Sequence, residues 1–173
     1  VLYVKTLNLP TNSGFELKVS GFNADTTPLI NEVVIELPQK DTDPARIPQE
    51  DMIVTATNAD STTPASNVLD GSSESIWSTT LNGSAKLPQS ITLNLGIKQF
   101  VNKIKYLPRQ YGGTDGYITG YKVYSSMDGT NFTLVSSGQW NADKLVKAVT
   151  FDTVEAMYVR LEATTGIGGF ASA

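Results

Sequence analysis

"LPRQYGGTDGYITGYKVYSSMDGTNF", residues 107–132, decides the fold. Within it "ITGYKVYSS" (118–126) is rich in β-branched and aromatic residues, the composition of a strand. "MDGTNF" then sets Asp128-Gly129 between that run and "FTLVSS", and Asp-Gly supplies the positive φ of a tight hairpin turn. Upstream, Pro108 follows "NKIKYL" and has no N–H for a central ladder, so Arg109 to Asp115 read as a loop leaving a strand end.

The same grammar extends outward. Helical periodicity is hard to find anywhere, whereas "MIVTAT", "SITLNL", "NKIKYL", "ITGYKVYSS", "FTLVSS", "KAVTFD" and "MYVRLEA" are strand candidates separated by turn signals. Their spacing predicts an all-β sandwich or barrel. Near the start, "FELKVS" and "EVVIEL" alternate apolar and polar residues, so 1–37 read as a small β-rich segment, expected to be the end of a preceding domain. "PQKDTDPARIP" carries three prolines among charged residues and reads as a linker over 38–48, leaving 49–173 as the main domain.

Composition removes several functions. The chain has no cysteine and no histidine, which excludes thiolate chemistry, disulfides, Ser-His-Asp activation and the usual zinc ligand sets. Its net charge is −4 and the nine basic residues after position 50 are scattered, so nucleic acid is not expected as a partner. No run approaches the roughly 18 consecutive apolar residues of a transmembrane helix, and no signal-peptide pattern opens the chain. The absence of an initiator Met predicts a fragment of a longer protein.

Without histidine, paired carboxylates are the remaining route to hydrolysis. Asp60, Asp70, Glu74, Asp115 and Asp143 fall in loops with no recognisable acid/base context, so solvated loop acids are the plainer reading. "ASNVLDGSSESIWST" (65–79) surrounds one carboxylate with small oxygen-bearing residues, which suits either a hard cation or an ordinary Asp70-Gly71 turn. Trp77 and Trp140 are each either a sugar platform or core packing. Arg109 is either a surface arginine or a ligand-facing fork of donors, with Tyr111 near enough in sequence to stack or donate its hydroxyl.

Taken in order, "ASNVLDGSSESIWST", "LPQSITLNLG", "VNKIKYLPRQ", "GYITGYKVYSSMDGTNF", "SSGQW", "AVTFD" and "MYVRLEA" resemble the coagulation factor 5/8 type C (discoidin) domain. Within that family they are most similar to the bacterial family 32 carbohydrate-binding modules. The likeness covers about 48 to 173 and leaves 1–47 unmatched.

The resemblance implies an eight-stranded jelly-roll β-sandwich of the galactose-binding type, with an ion near the strand junction and a shallow sugar site at one end. Such modules are not catalysts. They are carried by secreted or cell-surface glycan-processing enzymes such as glycoside hydrolases, which they hold near terminal sugars. A glycan and the other domains of the same polypeptide are therefore the expected partners, no membrane partner is expected, and the expected location is extracellular or at the cell surface. The family's calcium ligands fall on Asp70 (carboxylate), Ser75 (hydroxyl), Asn67 and Ser72 (backbone carbonyls) and Ala173. The family's next ligand, a glutamate, would follow Ala173, so the chain as given is expected to bind calcium more weakly or to continue in its natural form. In the sugar site, Arg109 and Phe170 take the gripping and stacking positions, Thr114 or Asp115 stands near the family's asparagine, and Tyr111 lies in the same loop. Galactose-binding members carry His after the tryptophan and often an aromatic three residues later, where this chain has Ser78 and Leu81. That departure leaves a structural or protein-docking sandwich as the alternative expectation.

Overall fold

A computed structural model describes residues 46–80 and 86–173; "FELKVS", "EVVIEL", most of the 38–48 linker and Leu81 lie outside the described residues. The chain divides into two units, Val1–Asp43 and Pro44–Ala173, and the fold given is that of the second.

The described residues carry five strands, β1 (Ile53–Ala56), β2 (Gln89–Tyr106), β3 (Ile118–Ser126), β4 (Thr133–Gln139) and β5 (Lys147–Gly166). Two short 3-10 turns, Ala65–Leu69 and Ile167–Gly169, complete the regular structure. The sheet order is β1-β2-β5-β3-β4, and the pairings are antiparallel. Fewer strands appear than the turn signals predict, because "SITLNL" and "NKIKYL" are one strand and so are "KAVTFD" and "MYVRLEA". The apparent breaks are bulges: register shifts between the pairs Asn94/Tyr158 and Gln99/Ala156, and again between Val101/Val154 and Lys103/Thr150. Extra residues on one strand of a pair bend both without ending the ladder, and bends of this kind let one strand serve two layers.

The core follows from that bend. Ile91, Val123, Val159 and Leu161 from the five-stranded part bury together with Val101, Tyr106 and Val149 from the long halves beyond the bulges. Each such aliphatic side chain contributes about 1.5–3 kcal/mol when fully buried. Alternation keeps Thr55, Thr92, Tyr158, Arg160 and Lys122 on the opposite face, away from this cluster. Trp77, 1% exposed, sits in the core and donates its indole N–H to the Asn58 carbonyl at 3.0 Å, so it is packing rather than a sugar platform. Trp140 is stacked on Tyr121 and Tyr106, with ring centroids 4.0 and 5.2 Å away.

Candidate functional site

Three segments of chain meet at one end of the sheet: 75–80, the loop after β2, and the stretch after β5. Backbone hydrogen bonds tie them. Trp77 and Ala173 exchange both N–H···O bonds (2.9 and 3.0 Å), and the Thr79 N–H donates to the Ala171 carbonyl at 2.9 Å. Gly116 donates to Ile167 at 2.8 Å, while Ser172 donates back to the Gly116 carbonyl at 2.7 Å. A side chain at Gly116 would not fit, since a Cβ there would lie 2.5 Å from Ser172 Oγ and 2.7 Å from the Phe170 ring.

Two buried tyrosines fasten the loops to the core. The Tyr106 hydroxyl donates to the Ser172 carbonyl at 2.8 Å and accepts the Ile118 N–H at 3.2 Å. Burial pushes its pKa well above the ordinary phenol value, so it stays a neutral donor. The Tyr117 hydroxyl donates to the Arg109 carbonyl at 2.9 Å, which fixes the base of the loop from which Arg109 projects. Neither role is visible in the sequence, where Tyr106 reads as a strand residue and Tyr117 as the residue before one.

Arg109 follows the fully buried Pro108, and its loop curls around it. Its Nη2 donates to the Gly113 carbonyl at 3.1 Å, and a Cβ on Gly112 would stand 3.3 Å from the same nitrogen. Its Nε is shielded from solvent and has no partner. The guanidinium is thus held from its own loop with donors to spare. Gln110 and Lys144 brace that loop, Gln110 Nε2 donating to the Lys144 carbonyl at 3.1 Å and Lys144 Nζ to the Gln110 carbonyl at 2.6 Å.

Two of the other expected contacts meet at one glycine. A Cβ placed on Gly168 would lie 3.0 Å from the Phe170 ring and 3.5 Å from Asp115 Oδ1, so the half-buried ring and the exposed carboxylate flank the same glycine. Thr114 is exposed and its carbonyl accepts the Tyr117 N–H at 3.0 Å. Tyr111 is 48% exposed. Ser78 lies elsewhere in character: it is 5% exposed, and its hydroxyl is bonded to Thr63 Oγ1 at 2.7 Å. The position after the tryptophan therefore faces the interior here and offers no hydroxyl to the surface.

Four of the expected cation ligands, Asn67, Asp70, Ser72 and Ser75, lie in one loop, and Ala173 comes from the end of the chain. Asp70 accepts the Ser72 N–H at 2.8 Å through one oxygen and the Ser75 hydroxyl through the other. Asn67 Nδ2 donates to the Ile76 carbonyl at 2.8 Å, and Ala173 is joined to Trp77. These groups suit a hard cation in kind, being a carboxylate, a hydroxyl and backbone carbonyls. Among the described residues no cluster of three or more carboxylate, His or Cys side chains exists to hold a metal by charge alone.

Acid/base chemistry finds no support in Asp60, Asp143 or Asp128. A general acid needs a raised pKa. Asp60 is instead lowered by hydrogen bonds from Thr62, Asp143 by its hydrogen bonds and charge pairing with Lys147 and by Leu145, and Asp128 by Asn131, Thr130 and Ser126.

The F5/8 type C domain family matches residues 53–173. The chain is 41% identical over 131 residues to an A type blood N-acetyl-α-D-galactosamine deacetylase of Flavonifractor plautii, covering 73% of this chain and 17% of that protein. A galactose oxidase of Gibberella zeae is 38% identical over 126 residues, covering 71% and 18%. The chain thus spans less than a fifth of these curated relatives. Among solved structures, a family 32 module of Clostridium perfringens in complex with GalNAc-β-1,3-galactose matches with TM-score 0.71 at 41% identity, over 73% of this chain and 94% of that one. Another C. perfringens family 32 module, in complex with galactose, matches with TM-score 0.68 at 41% identity, over 73% and 91%.

Proposed function

The chain belongs to the F5/8 type C family, as a non-catalytic binding module, and we propose that its ligand is the terminal sugar of a glycan, of the galactose or N-acetylgalactosamine class. The observation that carries this reading is the loop end itself: Arg109 fixed by Gly113 and Tyr117 with donors left over, on the same knot of chain as Phe170 and Asp115. A guanidinium suits vicinal ring hydroxyls, an aromatic ring suits the C–H face of a pyranose, and a carboxylate accepts from a hydroxyl. Solved family members at 41% identity hold galactose-type sugars, which supports the same class here.

Binding is weak by construction. A shallow, wet site with one aromatic and one cationic anchor loses much of its contact energy to desolvation and ordering, giving dissociation constants of about tens of micromolar to millimolar. Calcium in the Asp70 loop would act structurally, with Asp70, Ser75 and the carbonyls of Asn67, Ser72 and Ala173 as ligands. It would hold the loop that leads into Trp77 and, through Ala173, the stretch carrying Phe170. In its parent protein the module would tether a larger secreted or cell-surface glycan-processing enzyme, with 38–48 as the connecting linker and 1–37 the end of the preceding domain.

A glycan array in calcium buffer tests this, with calorimetry of any hit. The expected result is binding to terminal galactose or N-acetylgalactosamine, lost in Arg109→Ala while the melting temperature is kept. No hit from a folded chain would instead favour a protein-docking sandwich, the reading that the buried hydroxyl of Ser78 speaks for.

A further inference from the structure

We propose a second ligand site on the outward face of the sheet, centred on Arg160, that takes a carboxylate-bearing sugar residue such as a uronate. It is independent of the Arg109 reading. The strand register sets Thr55 beside Thr92, Thr92 beside Arg160 and Arg160 beside Tyr124, with Asn94 beside Tyr158 in the neighbouring row. Together Ile53, Thr55, Thr92, Asn94, Gly129, Tyr158 and Arg160 line a hollow of about 160 Å³. The floor is strand rather than loop, so these groups keep their spacing without a ligand.

Arg160 is oriented by two independent contacts. Its guanidinium carbon lies 3.5 Å from the centroid of the Phe132 ring, and its Nε donates to Thr92 Oγ1 at 3.0 Å. A stacked plane with one edge tied leaves its two Nη groups, which have no partner among the described residues, as a fixed fork. No carboxylate among the described residues pairs with it. Glu162, two residues along the same face, is engaged by Lys122 at 3.9 Å and by the Tyr124 hydroxyl at 3.4 Å. Asp128, next to Gly129, has its oxygens taken by Ser126, Thr130 and Asn131. In a chain of net charge −4, this is an oriented cation left without its counter-charge.

The ligand class follows from the lining. A fork of parallel N–H groups matches a carboxylate edge-on. Thr55 and Asn94 add neutral polar groups of the kind that meet ring hydroxyls, and the Tyr158 ring offers an apolar face for ring C–H groups. The volume suits one sugar ring.

The test is a titration of the 15N-labelled 173-residue chain with D-glucuronate, beside methyl β-D-glucoside as the neutral counterpart. Saturating amide shifts at Asn94, Gly129 and Arg160 are expected with glucuronate and not with the glucoside. They should weaken about tenfold in Arg160→Lys, which keeps the charge and loses the fork, vanish in Arg160→Met, and persist in Arg109→Ala. Should Arg160→Met fail to fold, the lysine variant and the neutral sugar still decide. Silence up to about 100 mM glucuronate, equal shifts with acetate, binding unchanged in Arg160→Lys, or shifts confined to Gly113, Gly116 and Phe170 would each overturn the second site.

Discussion

Two Asp-Gly turns in this molecule have the same local sequence and opposite surroundings. Asp70-Gly71 and Asp128-Gly129 both place glycine in the left-handed region, at φ +75° and +72°. Around Asp128 everything is closed: its carboxylate accepts from Thr130 N, Asn131 N, Asn131 Nδ2 and Ser126 Oγ, and the Tyr158 ring lies against Gly129. Around Asp70 much is open: its carboxylate takes one N–H and one hydroxyl, and nothing lies within 4 Å of where a Gly71 side chain would begin. A dipeptide fixes the sign of a turn. Whether the turn is a lock or a ligand holder depends on how many donors the rest of the chain brings to its oxygens.

The largest expected difference between the two turns is their response to calcium. Saturating calcium should raise the stability of the chain by about 2.7 kcal/mol at a hundredfold excess over the dissociation constant. Asp70→Asn should erase that gain while Asp128→Asn leaves it intact, as read from melts with calcium and with chelator. A gain that survives Asp70→Asn would remove the distinction.

Next comes the contrast between Gly129→Ala and Gly71→Ala. Both place an L side chain at positive φ, at a cost of about 1–2 kcal/mol. Only at Gly129 does the new methyl meet a ring, 3.0 Å from Tyr158, so that variant should lose about 1 kcal/mol more by urea denaturation. Equal losses would mean that Tyr158 moves aside freely, which would also loosen the wall of the hollow beside Arg160.

The smallest effect is the pH dependence. Asp128 titrates below the ordinary carboxylate range in the folded chain because Asn131, Thr130 and Ser126 donate to its charged form. Its contribution to stability is therefore present above the unfolded pKa of about 4 and is lost as pH falls toward the folded value. Asp128→Asn should flatten the acid limb of stability against pH. An acid limb unchanged in that variant would show that the bonds to the Asp128 carboxylate do not hold its charged form in solution.

Much of the fold was legible because strand alternation is local. "ITGYKVYSS" predicts β3 with its boundaries, and the Asp128-Gly129 hairpin follows from the turn chemistry of two residues. The merging of four predicted strands into β2 and β5 was not legible. Gly96 and Asp152 look like strand ends in sequence, and only the partner strand across the ladder shows that the pairing resumes beyond them. In the site, Arg109 could be found from its place after Pro108 at a strand end. Phe170 and Asp115 came from family likeness, for no local pattern marks them. Ser78 reads as a polar residue beside a tryptophan; that its hydroxyl is consumed by Thr63, 15 residues away, is a fact of packing.

By itself the sequence determined the all-β class, the absence of histidine and cysteine chemistry, the hairpin, and the loop that carries Arg109, since each rests on residue type or on a period of two. Tertiary structure alone decided which polar groups are spent and which are left free. Arg160 is held by Thr92, 68 residues away, and by Phe132, while the backbone of Arg109 is fixed by the hydroxyl of Tyr117. Hydrogen-bond satisfaction depends on neighbours in space, and in an antiparallel sandwich those neighbours come from strands far apart in the chain.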